Sequence, residues 1–312
     1  MKLWVGKGFA GDVEPIALSC IEPKTTAEEM DSASDEIHLR YSIAVLADPH
    51  IAGGGEHSER LQQAVEWINQ QQTEQSIELV VVLGDVGWGS GLSESKSLLD
   101  QLQVPYVPVI GDNEVAYGDE ENFGTVYGPQ FELLSTYFTD WNKDGSAVWN
   151  PEEEKNSWFY NYAFTYRGNR FITVDWSART NQSIFSEMGD LHDFDGGTFE
   201  FFESEITALN GQKENSVMLL SHIPMYMSPG GFDVAEADKI SGLTNAYSDL
   251  IYADFAGHFQ VNADTEFEDG GFEVFITDAV WDDEITIRLV QVWEDNSGFS
   301  YVHEMIELVY EQ

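Results

Sequence analysis

The stretch Ile43–His50 reads IAVLADPH, which joins an apolar run typical of a buried β-strand to an Asp-x-His sequence. Short apolar runs stop at polar side chains in the same way at four later positions in the chain. These four runs are Leu79–Asp85, Val107–Glu114, Val217–His222 and Ile251–Gln260. Open α/β sheets bind their ligands at the carboxyl ends of the strands. We therefore expect the five strand ends to meet in one pocket.

The polar residues at these strand ends are of the types that bind divalent metals. They are Asp48, His50, Asp85, Asp112, Asn113, His222, His258 and Gln260. Imidazole and carboxylate ligands together suit zinc, iron, manganese and nickel. The single cysteine, Cys20, excludes an intrachain disulfide and a zinc site built of several thiolates. The pattern predicts a metal site made of oxygen and nitrogen ligands.

The chain is strongly acidic. Its 312 residues include 56 Asp and Glu against 14 Lys and Arg, which gives a formal net charge of −42. This charge opposes binding to nucleic acids and to anionic membranes, and bound divalent ions would be needed to attract an anionic substrate. A surface adapted to high salt is a second interpretation. No apolar run approaches the roughly 18 residues of a membrane span.

Residues 1–40 are polar and lack a clear hydrophobic period, so they are interpreted as an N-terminal extension of a single domain at 41–312. The extension shows no signal peptide, and the sequence leaves open a cytoplasmic location or export after processing. A β-α-β-α-β order begins near residue 41 and favours parallel strands. Residues 115–160 are aromatic and acidic, and we expect an inserted loop region over the site with one helix near 129–138. Its aromatic side chains would either contact the substrate or pack beneath a lid.

The five motifs together resemble the pattern of the calcineurin-like metallophosphoesterases, which is D-x-H, G-D, G-N-H-[DE], H and G-H-x-H. In this chain the pattern reads Asp48-x-His50, Gly84-Asp85, Gly111-Asp112-Asn113-Glu114, His222 and Gly257-His258-x-Gln260. The resemblance implies an α/β fold, described more closely as an α+β four-layer sandwich of two mixed β-sheets flanked by helices. It also implies a dinuclear centre of divalent manganese, iron, zinc or nickel. The implied reaction is hydrolysis of a small phosphomonoester or phosphodiester by a metal-bridging hydroxide.

The ligand set that the resemblance implies has two halves, and Asp85 is the carboxylate shared between them. The first half is completed by Asp48, His50 and Gln260. The second half is completed by Asp112, His222 and His258. The resemblance thus implies that Asp85 is essential for catalysis.

Two positions depart from the family pattern. Asp112 and Asn113 stand where the family has Asn and His, so Asp112 becomes a ligand and Asn113 replaces the histidine that assists the leaving group. A shift of one residue would make Asn113 the ligand instead. Asn113 can donate a hydrogen bond but cannot supply a proton near neutral pH. Gln260 replaces the last histidine, and its amide oxygen favours harder ions such as Mn²⁺.

Two other functions stay open beside the hydrolysis of a small phosphate ester. The first is a non-catalytic metal-binding protein of the same fold, because the family histidines at the positions of Asn113 and Gln260 are missing. The second is a nuclease, against which the net charge of −42 argues. The oligomeric state is not indicated by the sequence.

A separate motif suggests a further ion. Residues 140–146 read DWNKDGS and match the first half of a calcium loop, but position twelve of that loop is a proline. The candidate calcium ligands are Asp140, Asn142, Asp144 and Glu152. An acidic turn without a metal is the alternative. His192, in the acidic stretch 189–195, is interpreted as a loop histidine.

Overall fold

The apolar runs form strands in the computed structural model of the chain. This structure describes residues 37–310 with the exception of 145–146, 180–188, 226–230, 268–270 and 283. Residues 1–36, which make up most of the predicted extension, lie outside the described residues. The first strand begins at His38, slightly before the predicted start of the domain at residue 41.

The described residues contain fourteen strands and six α-helices. The strands are β1 (His38–Leu46), β2 (Ile77–Leu83), β3 (Tyr106–Val109), β4 (Thr139–Lys143), β5 (Val148–Asn150), β6 (Lys155–Ser157), β7 (Tyr162–Tyr166), β8 (Asn169–Val174), β9 (Val217–Ser221), β10 (Ile251–Ala256), β11 (Ala263–Phe267), β12 (Phe272–Ile276), β13 (Glu284–Glu294) and β14 (Phe299–Val309). The helices are α1 (Glu56–Gln71), α2 (Ser90–Leu99), α3 (Asp112–Ala116), α4 (Glu120–Tyr137), α5 (Thr198–Thr207) and α6 (Val234–Thr244).

Twelve of the strands form two mixed sheets. The first sheet has the order β14-β13-β1-β2-β3, and the second has the order β11-β12-β10-β9-β8-β7-β4. In the first sheet β1, β2 and β3 are parallel, while β13 and β14 run antiparallel to their neighbours. In the second sheet β8, β9, β10 and β12 form the parallel centre. Strands β5 and β6 pair separately as a hairpin.

Two hydrophobic cores hold these layers together. One core combines residues of the first sheet, such as Val81, with residues of the second sheet, such as Phe255, and with Leu61 of α1. The other core packs Phe202 of α5 and Ile240 of α6 against the second sheet. The central strands of each sheet are buried on both faces because helices and the other sheet cover them. This arrangement confirms the predicted fold of two mixed sheets flanked by helices.

The segment 115–160 differs from the expected loop region because most of it is regular structure. Helix α4 begins nine residues before the predicted helix near 129–138, and it buries Phe123, Tyr127 and Phe131 at intervals of four residues. These aromatic side chains therefore form core rather than a substrate pocket.

The apolar runs and motifs of the sequence do not predict helix α6. Asp233 caps that helix by accepting a hydrogen bond from the backbone N–H of Glu236. An Asp followed three residues later by a Glu is a helix-start signature that is visible in the sequence.

Candidate metal centre

Two groups of candidate ligands lie at the carboxyl ends of five strands. Within each group, one ligand atom from every residue lies within 4.8 Å of the others. The groups are Asp48, His50 and Asp85, and Asp112, His222 and His258. Asp48 and His50 follow β1, Asp85 follows β2 and Asp112 follows β3, and these three strands belong to the first sheet. His222 follows β9 and His258 follows β10, which belong to the second sheet. The centre therefore lies where the strand ends of two sheets meet.

Asp85 connects the two groups. Its Oδ2 lies 3.0 Å from Nε2 of His50, and its Oδ1 lies 3.5 Å from Nε2 of His222. The side chain is buried, and each of its oxygens faces a different group. Asp85 therefore lies between the two groups of candidate ligands.

The second group is organised around one oxygen of Asp112. Nδ1 of His222 donates to the carbonyl oxygen of Leu83 at 2.8 Å, which leaves its Nε2 to face Asp112 Oδ1 at 2.7 Å. Nδ1 of His258 lies 3.2 Å from the same oxygen. Metal-binding histidines are commonly oriented by a carbonyl that accepts from their other nitrogen. Asp112, and not Asn113, is the residue that meets the two histidines.

The electrostatics of the site favour positive charge. Burial opposes protonation of His222, but the charge of Asp85 and the hydrogen bond to Asp112 raise its pKa well above the usual value. Burial likewise opposes protonation of His50, yet the neighbouring carboxylates of Asp48 and Asp85 raise its pKa to about 10. Because metal ions and protons compete for the same lone pairs, a field that attracts protons here also attracts divalent cations.

The fit of a metal to these residues is supported by unsatisfied atoms. Asp48 Oδ1 and His50 Nε2 are buried and have no hydrogen-bond partner of good geometry. Buried polar atoms normally have a partner, so these two are available for an ion. Carboxylate and imidazole donors together fit a divalent transition metal. The residues present therefore suit the kind of centre that the sequence predicts.

The backbone at the strand ends is unusual. Five of the predicted ligands have left-handed backbone angles, with φ between 48° and 69°. They are Asp48, His50, Asp85, His258 and Gln260. Such angles are uncommon for residues other than glycine and concentrate at functional sites. Gln260 is half-buried two residues after His258, and its role as a ligand stays a prediction.

The motif glycines leave room for the ligands. A Cβ atom on Gly84, whose φ is 78°, would lie 2.4 Å from Nδ1 of His222. A Cβ atom on Gly111 would lie 2.2 Å from Oδ1 of Asp85. Both distances are too short for non-bonded atoms, so any side chain at these positions would displace a ligand.

Asn113 and Glu114 hold the shared carboxylate and its loops. The backbone N–H of Asn113 donates to Asp85 Oδ1 at 2.9 Å, and its side-chain amide donates to Asp85 Oδ2. The buried carboxylate of Glu114 accepts hydrogen bonds from the backbone N–H groups of Gly87 and Gly111, at 2.8 and 2.7 Å. Burial and the charge of Asp85 raise the pKa of Glu114 to about 8. Glu114 therefore ties the loop after β2 to the loop after β3.

Aromatic rings border the first group. The ring centroids of Trp88 and Trp281 each lie 5.6 Å from that of His50. Trp88 stacks on Tyr117, whose side chain is 55% exposed, and His57 stacks on Trp281. Neither tryptophan is predicted as a site residue by the sequence, because nothing in the motif spacing marks them. A tryptophan close behind a strand end is the sequence feature that could have indicated them.

The candidate calcium ligands are not brought together by the structure. Asp140 and Asn142 lie in β4, where the Asn142 amide donates to Glu205 at 2.7 Å. Asp144 accepts from the Asn161 amide at 3.0 Å. Among the described residues, Asp140, Asp144 and Glu152 do not form a group of ligand atoms within 4.8 Å. Calcium binding in this segment stays a prediction, and Glu152 belongs to a different group described below.

A profile of the calcineurin-like phosphoesterases, named Metallophos, matches residues 41–299. The chain belongs to this family. The predicted family resemblance is thereby confirmed, and together with the ligand groups it indicates a hydrolase of the metal-dependent phosphoesterase type. A comparison with curated proteins found no match. None of the helices in the described part of the chain combines the length and apolar character that a bilayer crossing requires.

Solved structures that are similar to this chain share little sequence with it. One is a protein from Staphylococcus aureus assigned as a 5'-nucleotidase, with 14% identity and a TM-score of 0.51 over 87% of this chain and 55% of that one. TT1561 of Thermus thermophilus has 11% identity and a TM-score of 0.45, over 85% of this chain and 99% of that one. Phosphopantetheinyl hydrolase of Mycobacterium tuberculosis has 12% identity and a TM-score of 0.44, over 77% and 90%. At 14% identity the similarity to the Staphylococcus aureus structure concerns the fold alone.

Proposed function

We propose that this protein hydrolyses a small phosphate ester, a monoester or a diester, at a centre that holds two divalent metal ions. The observation that carries the proposal is the position of Asp85, whose two carboxylate oxygens face two separate groups of ligands. When bound, two divalent cations supply Lewis-acid charge that activates water and neutralises the phosphate oxygens. The first ion would be held by Asp48, His50, Asp85 and Gln260. The second would be held by Asp85, Asp112, His222 and His258.

The chain's own residues orient these ligands. The carbonyl of Leu83 accepts from His222 Nδ1 and so directs Nε2 toward the second ion position. The two N–H groups of Asn113 that donate to Asp85 fix the plane of the shared carboxylate. Preorganised ligands of this kind avoid a reorganisation cost during the reaction. Because Asp48 and Asp85 are buried, water does not reach the side of each carboxylate that faces away from the ion positions.

Asn113 limits the range of substrates. Its side-chain amide stands at the motif position of the family's histidine, and an amide does not give up a proton near neutral pH. We expect the enzyme to prefer esters whose leaving group departs as an anion, such as nitrophenolate. A phosphate ester of a simple alcohol should react much more slowly. The exposed face of Tyr117, stacked on Trp88 next to His50, would contact a planar group on the ester.

The proposal is tested by removing all metal from the protein and restoring Mn²⁺, Zn²⁺, Fe²⁺ or Ni²⁺ singly. Each form is then offered p-nitrophenyl phosphate, bis-p-nitrophenyl phosphate and single-stranded DNA. We expect turnover of at least one nitrophenyl ester with at least one metal. Inactivity on every substrate would favour the non-catalytic metal-binding protein. Activity on DNA alone would favour a nuclease, which the net charge of −42 disfavours.

The role of Asn113 is tested separately by a series of aryl phosphates with leaving groups of rising pKa. The parent protein should lose activity steeply along the series because nothing protonates the leaving oxygen. The variant Asn113→His should depend less on the leaving group, since general acid catalysis contributes roughly 100-fold or more. An equally steep dependence in the variant would contradict the assignment of Asn113 to the position beside the leaving group.

A further inference from the structure

A third group of potential metal ligands lies away from the strand ends that form the centre. It consists of Glu152 in the turn between β5 and β6, and of Asp190 and His192 in the segment before α5. One ligand atom from each residue lies within 4.8 Å of the others. We call these three residues the outlying group. From the sequence alone, Glu152 is a candidate ligand of a calcium loop and His192 is interpreted as a loop histidine.

The decisive observation is the state of His192. Its side chain is fully buried, and Nε2 donates to the carbonyl oxygen of Ser177 at 3.0 Å. A carbonyl oxygen can only accept, so Nε2 carries a hydrogen in this bond, and in the neutral ring Nδ1 is left with a lone pair. Nδ1 lies 3.4 Å from Asp190 Oδ1 and has no hydrogen-bond partner. A buried lone pair therefore faces a carboxylate, which cannot donate to it when ionised.

The charges around the outlying group leave it negative. Glu152 and Asp190 are both acidic residues, and Nδ1 of the buried His192 ring faces them. Within the described part of the chain, neither Glu152 nor Asp190 forms an ion pair with Lys or Arg. The nearby cation Arg179 is fully engaged, because its guanidinium bonds to both oxygens of Asp175 at 2.7 Å. Nothing among the described residues neutralises the two carboxylates.

We propose that the outlying group binds a divalent transition metal ion through Nδ1 of His192 and the carboxylates of Asp190 and Glu152. One imidazole and two carboxylates match the preference of zinc, manganese, cobalt and nickel, whereas calcium prefers oxygen ligands alone. The carbonyl of Ser177 accepts from the other ring nitrogen and orients the imidazole, as a backbone carbonyl commonly does for a metal-binding histidine. The ion connects the turn of the β5–β6 hairpin to the segment that leads into α5, and so restrains the hairpin.

The experiment measures metal content in the whole 312-residue chain. The protein is stripped with EDTA, equilibrated with Co²⁺, passed over a desalting column and analysed for cobalt. The variant that combines Glu152→Gln with Asp190→Asn should retain about one equivalent less cobalt than the parent. Both substitutions preserve side-chain size at partly or fully exposed positions, and circular dichroism checks that the variant is folded. His192→Gln should lose the same equivalent.

A matched control separates a specific site from loose attraction of cations to an acidic surface. The combined variant Glu154→Gln and Asp195→Asn removes the same two charges from exposed positions nearby and should retain the parental cobalt content. Asp85→Asn should lose cobalt from the main centre and retain the cobalt of the outlying group. A failure of the proposed dinuclear centre is therefore distinguished from a failure of the outlying site. Equal cobalt in the parent and in the Glu152/Asp190 variant would overturn the inference. The two carboxylates would then share a proton instead of an ion.

A second readout examines the restraint on the hairpin. Lys155 begins β6 and provides a trypsin site within the hairpin, in a chain with only 14 Lys and Arg residues. Cobalt should slow cleavage after Lys155 several-fold in the parent and in the Glu154/Asp195 control. It should have no effect in the Glu152/Asp190 variant. Cleavage that cobalt slows equally in all three proteins would count against a metal at this place.

Discussion

The main centre and the outlying group use the same local device in different surroundings. In both, one ring nitrogen of a buried histidine donates to a backbone carbonyl, Leu83 for His222 and Ser177 for His192, and the other nitrogen faces carboxylates. The main centre collects its ligands from strand ends of two sheets, which the cores hold rigidly. The outlying group collects its ligands from a hairpin turn and from a segment before a helix.

This difference separates catalytic from structural uses of a metal. A centre at rigid strand ends keeps ligands fixed while substrate binds and leaves, which is what a chemical step requires. An ion held between a turn and a neighbouring segment joins two parts of the chain, so its benefit is local stability. We therefore expect substitutions at the main centre to change activity strongly, and substitutions at the outlying group to change only the hairpin.

The largest expected effect is that of Asp85→Asn. Under the proposed function the Asp85 carboxylate would be shared by two cations, and an amide cannot replace it there, so hydrolysis of p-nitrophenyl phosphate should fall by roughly 1,000-fold or more. Turnover at saturating substrate and metal is the measurement. The Glu152/Asp190 variant serves as the comparison and should stay within about twofold of the parent, since surface changes away from the chemistry are usually small. Strong loss of activity in that variant would mean that the two sites are coupled.

A smaller effect is expected from Gly111→Ala. The added Cβ would lie 2.2 Å from the backbone nitrogen and Oδ1 of Asp85, so the shared carboxylate must shift. Activity or metal affinity should fall by roughly 10- to 100-fold, the usual cost of disturbing the support of a metal ligand. Metal titration and turnover measure the two quantities.

Gly242→Ala is the matched control, because Gly242 lies in α6 with no heavy atom within 4 Å of the added Cβ. Alanine favours a helix over glycine by up to about 1 kcal/mol, so this variant should be at least as stable as the parent and fully active. If the two glycine variants behave alike, the close approach of Gly111 to Asp85 is not the reason why glycine is needed at this position.

Asp254→Asn tests a buried carboxylate outside both metal groups. Its expected effect is on the pH dependence of stability, and its effect on activity should be the smallest. Asp254 accepts from Ser221 Oγ and from the backbone N–H of Met225, both at 2.9 Å. Burial raises its pKa from 3.8 to about 7. Because the folded state holds this proton more tightly than the unfolded state, the free energy of unfolding falls as pH rises from about 4 to 7.

The expected slope from this one group is about 1.4 kcal/mol per pH unit in that window, with no further loss above it. Asp254→Asn has no proton to lose, so its stability advantage over the parent should grow between pH 4 and pH 7 and then stay constant. Urea unfolding of both proteins at several pH values measures this difference. A constant difference across the window would show that Asp254 is ionised throughout.

Most of the main centre could be predicted from the sequence because each ligand follows an apolar run within a few residues. Asp48, Asp85 and His222 need only their own strand to be recognised. The tryptophans beside His50 could not be predicted in this way, since their contact depends on how two loops fold back. Only the second half of helix α4 was predicted, although its buried aromatic residues repeat every four positions, because the acidic residues of its first turns suggested a loop.

By itself, the sequence determined which residues would stand at strand ends, since hydrophobic period and motif glycines are local properties of the chain. Only the tertiary structure decided that these ends belong to two sheets, that Asp85 faces both ligand groups, and that Asp112 rather than Asn113 meets the histidines. It also brought Glu152 to Asp190 and His192 from a distant part of the chain. Such contacts depend on the packing of many distant residues, which no local pattern encodes.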